Sequence, residues 1–339
     1  MRALPAARPY FFEWFTIGNL VLLQALLWTS LRAPLETLPH MVAVLIVGSV
    51  LQALIGIGLR ALVAWRRGTL PGYLAVIRRP AWIADTIRLV LFSALFVHTY
   101  GWIKLAIPLL HPQLLDEQLW NLDRVLGFGF SPNVFLLSLF GAPSILRSID
   151  WTYANVFLAS LNLAAVFFLS SPSRRIRIAF MDSNVAMWLL GAWLYVAVPS
   201  LGPAYRFPEV WLPLAAFFVH SQAYQHLLMN NYQNVLAYAR GIPRPVSVLF
   251  GIAAFPSLHV AFQTLVFLWM RRLWRAGELI FAIFIVIIFI GSIVTGWHYL
   301  IDGIAGFFLA WVCFAISFKA HRVGRWLAIH DARRSFVRS

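Results

Sequence analysis

The sequence predicts an all-α integral membrane protein of about eight spans: a core helix bundle with interfacial helices at its outer face. Three observations carry that reading. The 339 residues are 61% hydrophobic and only 12% charged, against about 45–50% and about 25% in soluble domains. The apolar residues fall into runs close to the roughly 20 needed to cross a bilayer. The 27 Lys and Arg, which set a formal charge of +15, collect mostly in alternate loops. This composition excludes a disordered chain and an ordinary soluble enzyme. Positive charge confined to loops between apolar runs reads as topology, so no nucleic-acid partner is expected.

Taken in order, runs at residues 11–31, 41–65 and 83–110 make an N-terminal three-span region, residues 1–110. The first run ends Trp28-Thr29-Ser30-Leu31-Arg32 without a small-residue cleavage site, so it reads as a span and not a signal peptide. Asp85 and Arg88, three apart, read as a local pair; with Glu13 and Lys104 they could alternatively mark an ion path. Residues 111–150 read as an outer-face segment. Within it Val134–Ile145 is short and broken by Gly141-Ala142-Pro143, as an interfacial or re-entrant stretch would be.

Residues 151–320 form the core, with runs at 151–171, 181–199, 256–270, 279–297 and 301–318 and a long outer loop, 200–255. The run from 256 is short and is expected to begin near Leu249. In the loop, Trp211–Tyr238 has aromatic and Leu residues at helical spacing, as in an amphipathic helix lying on the bilayer. His220 and His226 are six apart and do not stack on one helix face, so no zinc site is expected there. Cys313, the single cysteine, reads as core filling inside the last run. Residues 321–339 form a basic tail.

Charge orients these spans. With Arg2 and Arg8 inside, the inner loops hold Arg60, Arg66, Arg67, Arg78 and Arg79, then Arg174, Arg175 and Arg177, then Arg271, Arg272 and Arg275. The tail adds Arg333, Arg334 and Arg338 among others. Both termini are then cytoplasmic, and the two long loops face outward. The absence of any Asn-x-Ser/Thr sequon fits a bacterial inner membrane.

Two patterns meet at that outer face: Phe255-Pro256-Ser257-Leu258-His259 and His298-Tyr299-Leu300-Ile301-Asp302. If residues 297–303 are helical, His298 and Asp302 share a face. The carboxylate then accepts the Nδ1 proton of His298 and leaves Nε2 as a nucleophile or base, while His259 protonates a leaving oxygen. Two histidines and a carboxylate, without thiols, suit attack on phosphorus better than metal-centred hydrolysis. No metal or other cofactor is expected.

These residues resemble the phosphatidic acid phosphatase type 2 superfamily, whose second motif is Pro-Ser-Gly-His and whose third ends His-x-x-x-Asp. Within it the sequence is most similar to the inositol-phosphorylceramide synthase branch, which reads Phe-Pro-Ser-Leu-His and His-Tyr-x-x-Asp. Asp116–Gly127, with Leu122-Asp123-Arg124, also resembles that branch. The resemblance implies that His298 forms a phosphohistidine, with Asp302 orienting it. His259 serves as acid and then base, and Ser257 holds phosphate oxygens. It further implies a phospholipid donor and a lipid alcohol acceptor in the bilayer. The superfamily's Ser-Arg ahead of the third-motif histidine is Gly291-Ser292 here, and its Lys-x6-Arg-Pro first motif is not found as such. The cations expected to hold the phosphate are therefore Arg240, Arg206 and Arg244, in that order. A lipid phosphate or polyprenyl diphosphate phosphatase would use the same histidines. A lipid transporter or scramblase predicts inverted repeats that the sequence does not display.

Overall fold

A computed structural model describes residues 8–327, and among these the chain is all-helical, 80% helix with no strand. Arg2, Arg333, Arg334, Arg338 and most of the 321–339 tail lie outside the described residues. The N-terminal region holds α1 (Phe11–Leu27), α2 (Ala33–Arg66), α3 (Leu70–Ile77) and α4 (Pro80–Leu110). Two short helices follow, α5 (Asp116–Leu126) and α6 (Pro132–Leu139), then α7 (Pro143–Leu169) and α8 (Arg174–Ala197). The long loop carries α9 (Pro203–Arg206), α10 (Pro208–Trp211), a 3-10 turn (Leu212–Phe217) and α11 (Val219–Ala239). The chain closes with α12 (Leu258–Leu273), α13 (Arg275–Val294) and α14 (Leu300–Ala320).

Each predicted run falls on a helix: α1, α2, α4, α7, α8, α12, α13 and α14. Five of these, α2, α4, α7, α13 and α14, are long and apolar enough to cross a membrane by themselves. The other three have a physical reason to differ. Helices α8 and α12 are buried along most of their length, so protein surrounds them and α8 can carry Arg177, Asp182 and Asn184. Helix α1, 17 residues long, packs on α4 and α8. The central packing is aromatic: Phe168 stacks on Phe180 at 3.5 Å, and the fully buried Trp269 sits edge-on to both. Cys313 is buried in the same cluster.

Several sequence boundaries are corrected. Helix α2 starts at Ala33, ahead of the expected 41, because Pro34 sits in its first turn, where a missing N–H costs nothing. Val134–Ile145 is not one re-entrant stretch; its first half lies in α6, and Gly141 and Ala142 separate it from α7. Helix α12 starts at Leu258 and not near Leu249, because Ser257 caps it with Oγ and residues 242–257 are irregular. Trp211–Tyr238 is also not a single helix. Its longest piece, α11, buries a polar stripe of Ser221 and Asn231 while Tyr224 and Leu227 stay exposed. Asn231 bonds Ser247 and Phe250, which pins the irregular loop to α11. Asp85 and Arg88 are no local pair: Arg88 binds Glu13, and Asp85 binds Tyr10 and Arg174.

Candidate active site

The two histidine patterns are joined through backbone before any side chain acts. Ser257 N–H donates to the Asp302 carbonyl at 2.8 Å, which lays the start of α12 against the start of α14. His259 therefore occupies the first turn of α12. His298 lies two residues ahead of α14, so residues 297–303 are not the continuous helix expected. Asp302 reaches His298 by a different route. It sits in the first turn of α14 and turns back, where its Oδ2 accepts from Tyr299 N–H at 2.8 Å and lies 3.3 Å from His298 Nδ1. A cap thus replaces the shared helix face.

The imidazoles touch, with His298 Nε2 3.2 Å from His259 Nδ1 and ring centroids 5.5 Å apart. If Asp302 takes the Nδ1 proton of His298, Nε2 accepts and His259 Nδ1–H donates. Tyr153 Oη also lies 3.3 Å from His259 Nδ1, and the edge of Phe157 packs at 4.1 Å between centroids. Asn133, from α6, donates to the carbonyls of Ile293 and His298 and so fixes the backbone beneath the ring.

A second layer of carboxylates holds this end in place. Asp116 and Asp123, seven apart and so on one face of α5, are both buried. Asp116 accepts from the N–H groups of Leu201 and Gly202 and from Tyr299 Oη. Asp123 accepts from the N–H groups of Leu300 and Ile301, the free donors at the start of α14. Burial pushes the Asp123 carboxyl up to about 6, although those two N–H groups pull it down. Burial also raises Asp116, against the same kind of backbone donors. Gly202 has φ +106°, and a Cβ there would meet the Trp297 carbonyl at 2.6 Å, so the turn under Asp116 needs glycine. The sequence marked Asp116–Gly127 only by resemblance. Its partners lie 85 to 183 residues away, separations no local pattern encodes.

A cavity of about 750 Å³ begins at His259, His298 and Trp297 and runs down between α2, α4, α7 and α8. Lys104, from α4, lines it beside the histidines. Its ammonium lies 5.9 Å from the Tyr100 ring and 5.6 Å from the Tyr195 ring. Among the described residues no hydrogen bond or ion pair joins it. A Cβ on Gly251 would meet the Lys104 stem at 2.9 Å, so that glycine lets the irregular loop nest on α4. From sequence, Lys104 lies inside a span and is suggested only as part of an ion path, not as a phosphate-binding cation. A signal was present: Lys104 precedes His111-Pro112 by the spacing of Lys-x6-Arg-Pro, with histidine in the arginine's place.

The three arginines named from sequence are not brought to the histidines. Arg206 is exposed and pairs with Glu117; Arg240 and Arg244 are exposed beyond the end of α11. None lines the cavity. Side chains on a long loop can satisfy themselves in solvent. Ser257 is fully buried, and its Oγ caps α12, accepting from Val260 N–H.

No curated protein and no solved structure matches the chain. A family model described as PAP2 superfamily matches residues 117–316, a span holding both histidine patterns and most of α5 and leaving out Lys104. The match covers more than half of the sequence, so the chain belongs to the PAP2 superfamily, whose members are phosphatases or phosphotransferases acting on phosphoesters.

Proposed function

We propose that this protein is a membrane lipid phosphotransferase of the inositol-phosphorylceramide synthase kind, moving a phosphoryl-alcohol headgroup from a phospholipid to a lipid alcohol. The observation that carries the reading is the file Asp302–His298–His259 at the head of a lipid-sized apolar cavity. In the first step His298 Nε2 attacks phosphorus and a P–N bond forms. The P–O bond to the departing diacylglycerol breaks, and the proton on His259 Nδ1 goes to that oxygen. In the second step the acceptor hydroxyl gives its proton to His259, its oxygen bonds phosphorus, and the P–N bond breaks. The histidine rings in contact must part for phosphorus to reach Nε2, and the adjoining cavity gives them room. Asp302 stabilises the imidazolium character that develops, and Lys104 supplies the positive charge facing the equatorial oxygens. The substrate faces the outer side of a bacterial inner membrane, with about eight helices crossing it and both termini cytoplasmic, as the charge pattern orients them.

Hydrolysis by the same histidines is the second reading, since water can replace the lipid alcohol. Transfer is favoured by the wall beside His259, where Phe157, Tyr153 and Phe262 offer an apolar acceptor more contact than water. The test is headgroup-labelled phospholipid incubated with and without ceramide or diacylglycerol. Wild-type protein should pass label to the acceptor, and His298→Ala should lose at least about 10³-fold in turnover. Lys104→Met should raise KM by roughly 10- to 100-fold, the cost of one charge-assisted contact. Acceptor-independent release of the labelled headgroup phosphate would replace transfer by hydrolysis, and full activity in His298→Ala would remove both.

A further inference from the structure

The cavity has a second polar end. Opposite the histidines it reaches Arg177, on the first turn of α8, whose side chain is 1% exposed. Arg177 Nε and Nη1 have no hydrogen-bond partner; its Nη2 makes only a long, 3.5 Å contact to the Trp82 carbonyl, and the guanidinium lies 4.5 Å from the Trp82 ring centroid. Arg60, on α2, is only half-buried and does not line the cavity. It donates to Ser170 Oγ and the Phe167 carbonyl and stacks on the Phe167 ring. Among the described residues neither guanidinium has a carboxylate partner. The nearest acid, Asp85, is taken by Tyr10 and Arg174.

A buried guanidinium without an anion is costly, by several kcal/mol for a fully desolvated ion. Among the described residues no carboxylate pairs with it directly; Asp85 acts on it only at a distance, so its free N–H groups can still take a further anion. The approach to it is equally informative. Arg177, Asn184 and Trp188 lie on one stripe of α8, and all three line the cavity. Asn184 Oδ1 is also buried without a partner. From Arg177 to Trp188 the stripe climbs about 16 Å at 1.5 Å per residue, through Met181 and facing Leu161 and Phe168 of α7. A cation at the foot of an apolar shaft matches an amphiphile whose anionic head lies at that end and whose chain points toward the histidines.

We propose that Arg177 forms a second headgroup site, separate from the histidines, which binds the phosphate of an anionic phospholipid, with the acyl chain lying along α8 past Asn184. A free phosphate ion offers the same headgroup chemistry but leaves the shaft empty, so the two sources can be told apart. The site does not depend on the transfer reaction, and its test involves no turnover.

The full chain, purified in a neutral detergent, is melted in mixed micelles of phosphatidylglycerol, in mixed micelles of phosphatidylcholine, and with inorganic phosphate. Phosphatidylglycerol should bind at least about tenfold more tightly than phosphatidylcholine, read from the concentration dependence of the melting shift. Arg177→Met should lose that preference and, with an unpaired buried charge removed, melt no lower than wild type in phosphatidylcholine. Arg175→Gln, an exposed arginine at the same end, should keep the preference. Arg177→Lys keeps the charge without the fork, and should show a preference several-fold weaker even if the Met variant does not fold. The proposal fails if wild type does not discriminate between the two lipids or if Arg177→Met or Arg177→Lys retains the full preference. It also fails if Arg175→Gln loses as much as Arg177→Met, or if inorganic phosphate stabilises as much as phosphatidylglycerol.

Discussion

The two ends of the bundle hold their buried carboxylates with different balances of backbone and charge. At the histidine end, Asp116, Asp123 and Asp302 accept from main-chain N–H groups, and Asp150 caps α11 through His220 and Ser221 in the same manner, with no Lys or Arg bonded to any of them. At the other end charged partners are added: Glu13 takes Arg88 besides Tyr10 N–H, Asp182 takes His321 besides Phe12 N–H, and Asp85 takes Arg174. A backbone donor cannot swing away, and it brings no full charge of its own. Carboxylates held in this way fix loops in position while leaving the reacting site free of competing cations. Ion pairs instead tie long side chains together, hold helices less rigidly and respond to salt.

The largest effect that could break this contrast lies at Asp302. Asp302→Asn keeps the shape but turns an N–H toward His298 Nδ1, so the wrong tautomer is favoured. Turnover should fall by about 10²- to 10⁴-fold with little change in KM. A loss of fold in place of a loss of rate, seen as a lowered melting temperature, would make Asp302 a cap and nothing more.

Asp123→Asn sharpens the comparison through pH. Burial lifts this carboxyl from an ordinary 3.8 to about 6, so between those values the folded protein holds a proton that the unfolded chain has released. This group's favourable contribution is complete below about pH 4 and is lost as pH rises through about 6, by roughly 2–3 kcal/mol in all. The wild-type stability curve minus that of Asp123→Asn should therefore slope downward across this window. A flat difference would mean that Asp123 is solvated in the folded protein. The variant also weakens the clamp on Leu300 and Ile301, so kcat should fall by about tenfold or more while His298 itself is intact.

The smallest effect belongs to the opposite end. Glu13→Gln should cost about 1–2 kcal/mol of stability, less in high salt, and leave kcat within about twofold. A kcat loss comparable to that of Asp302→Asn would show that the two ends are not independent.

What the sequence made legible follows from how local each signal is. The eight apolar runs were readable because lipid-facing helices must be apolar along their whole length, and the two histidine patterns because each is written within five residues. Helix boundaries at α2, α7 and α12 depended on Pro34, Pro143 and Ser257, which act from just outside the apolar runs. Lys104 was hidden by its surroundings, a lone charge in the apolar outer half of α4, and its place beside the histidines depends on a cavity built by several helices. The arginines of the outer loop do not line the cavity, because loop position says which end a residue occupies, and not which way it turns. Asp116 and Asp123 are silent until the last helix is in place.

That last point bears on the order of synthesis. A ribosome delivers α5 well before α14, so both clamping carboxylates emerge with no partner to bury against. Leu201 and Gly202 can supply donors to Asp116 once α8 has been made, but Asp123 has no donor until Leu300 and Ile301 arrive with the segment that carries His298 and Asp302. The end that holds the two histidines is thus completed last, and a chain that stops short of its last helix carries both histidines but lacks Asp302 and the N–H groups that hold Asp123.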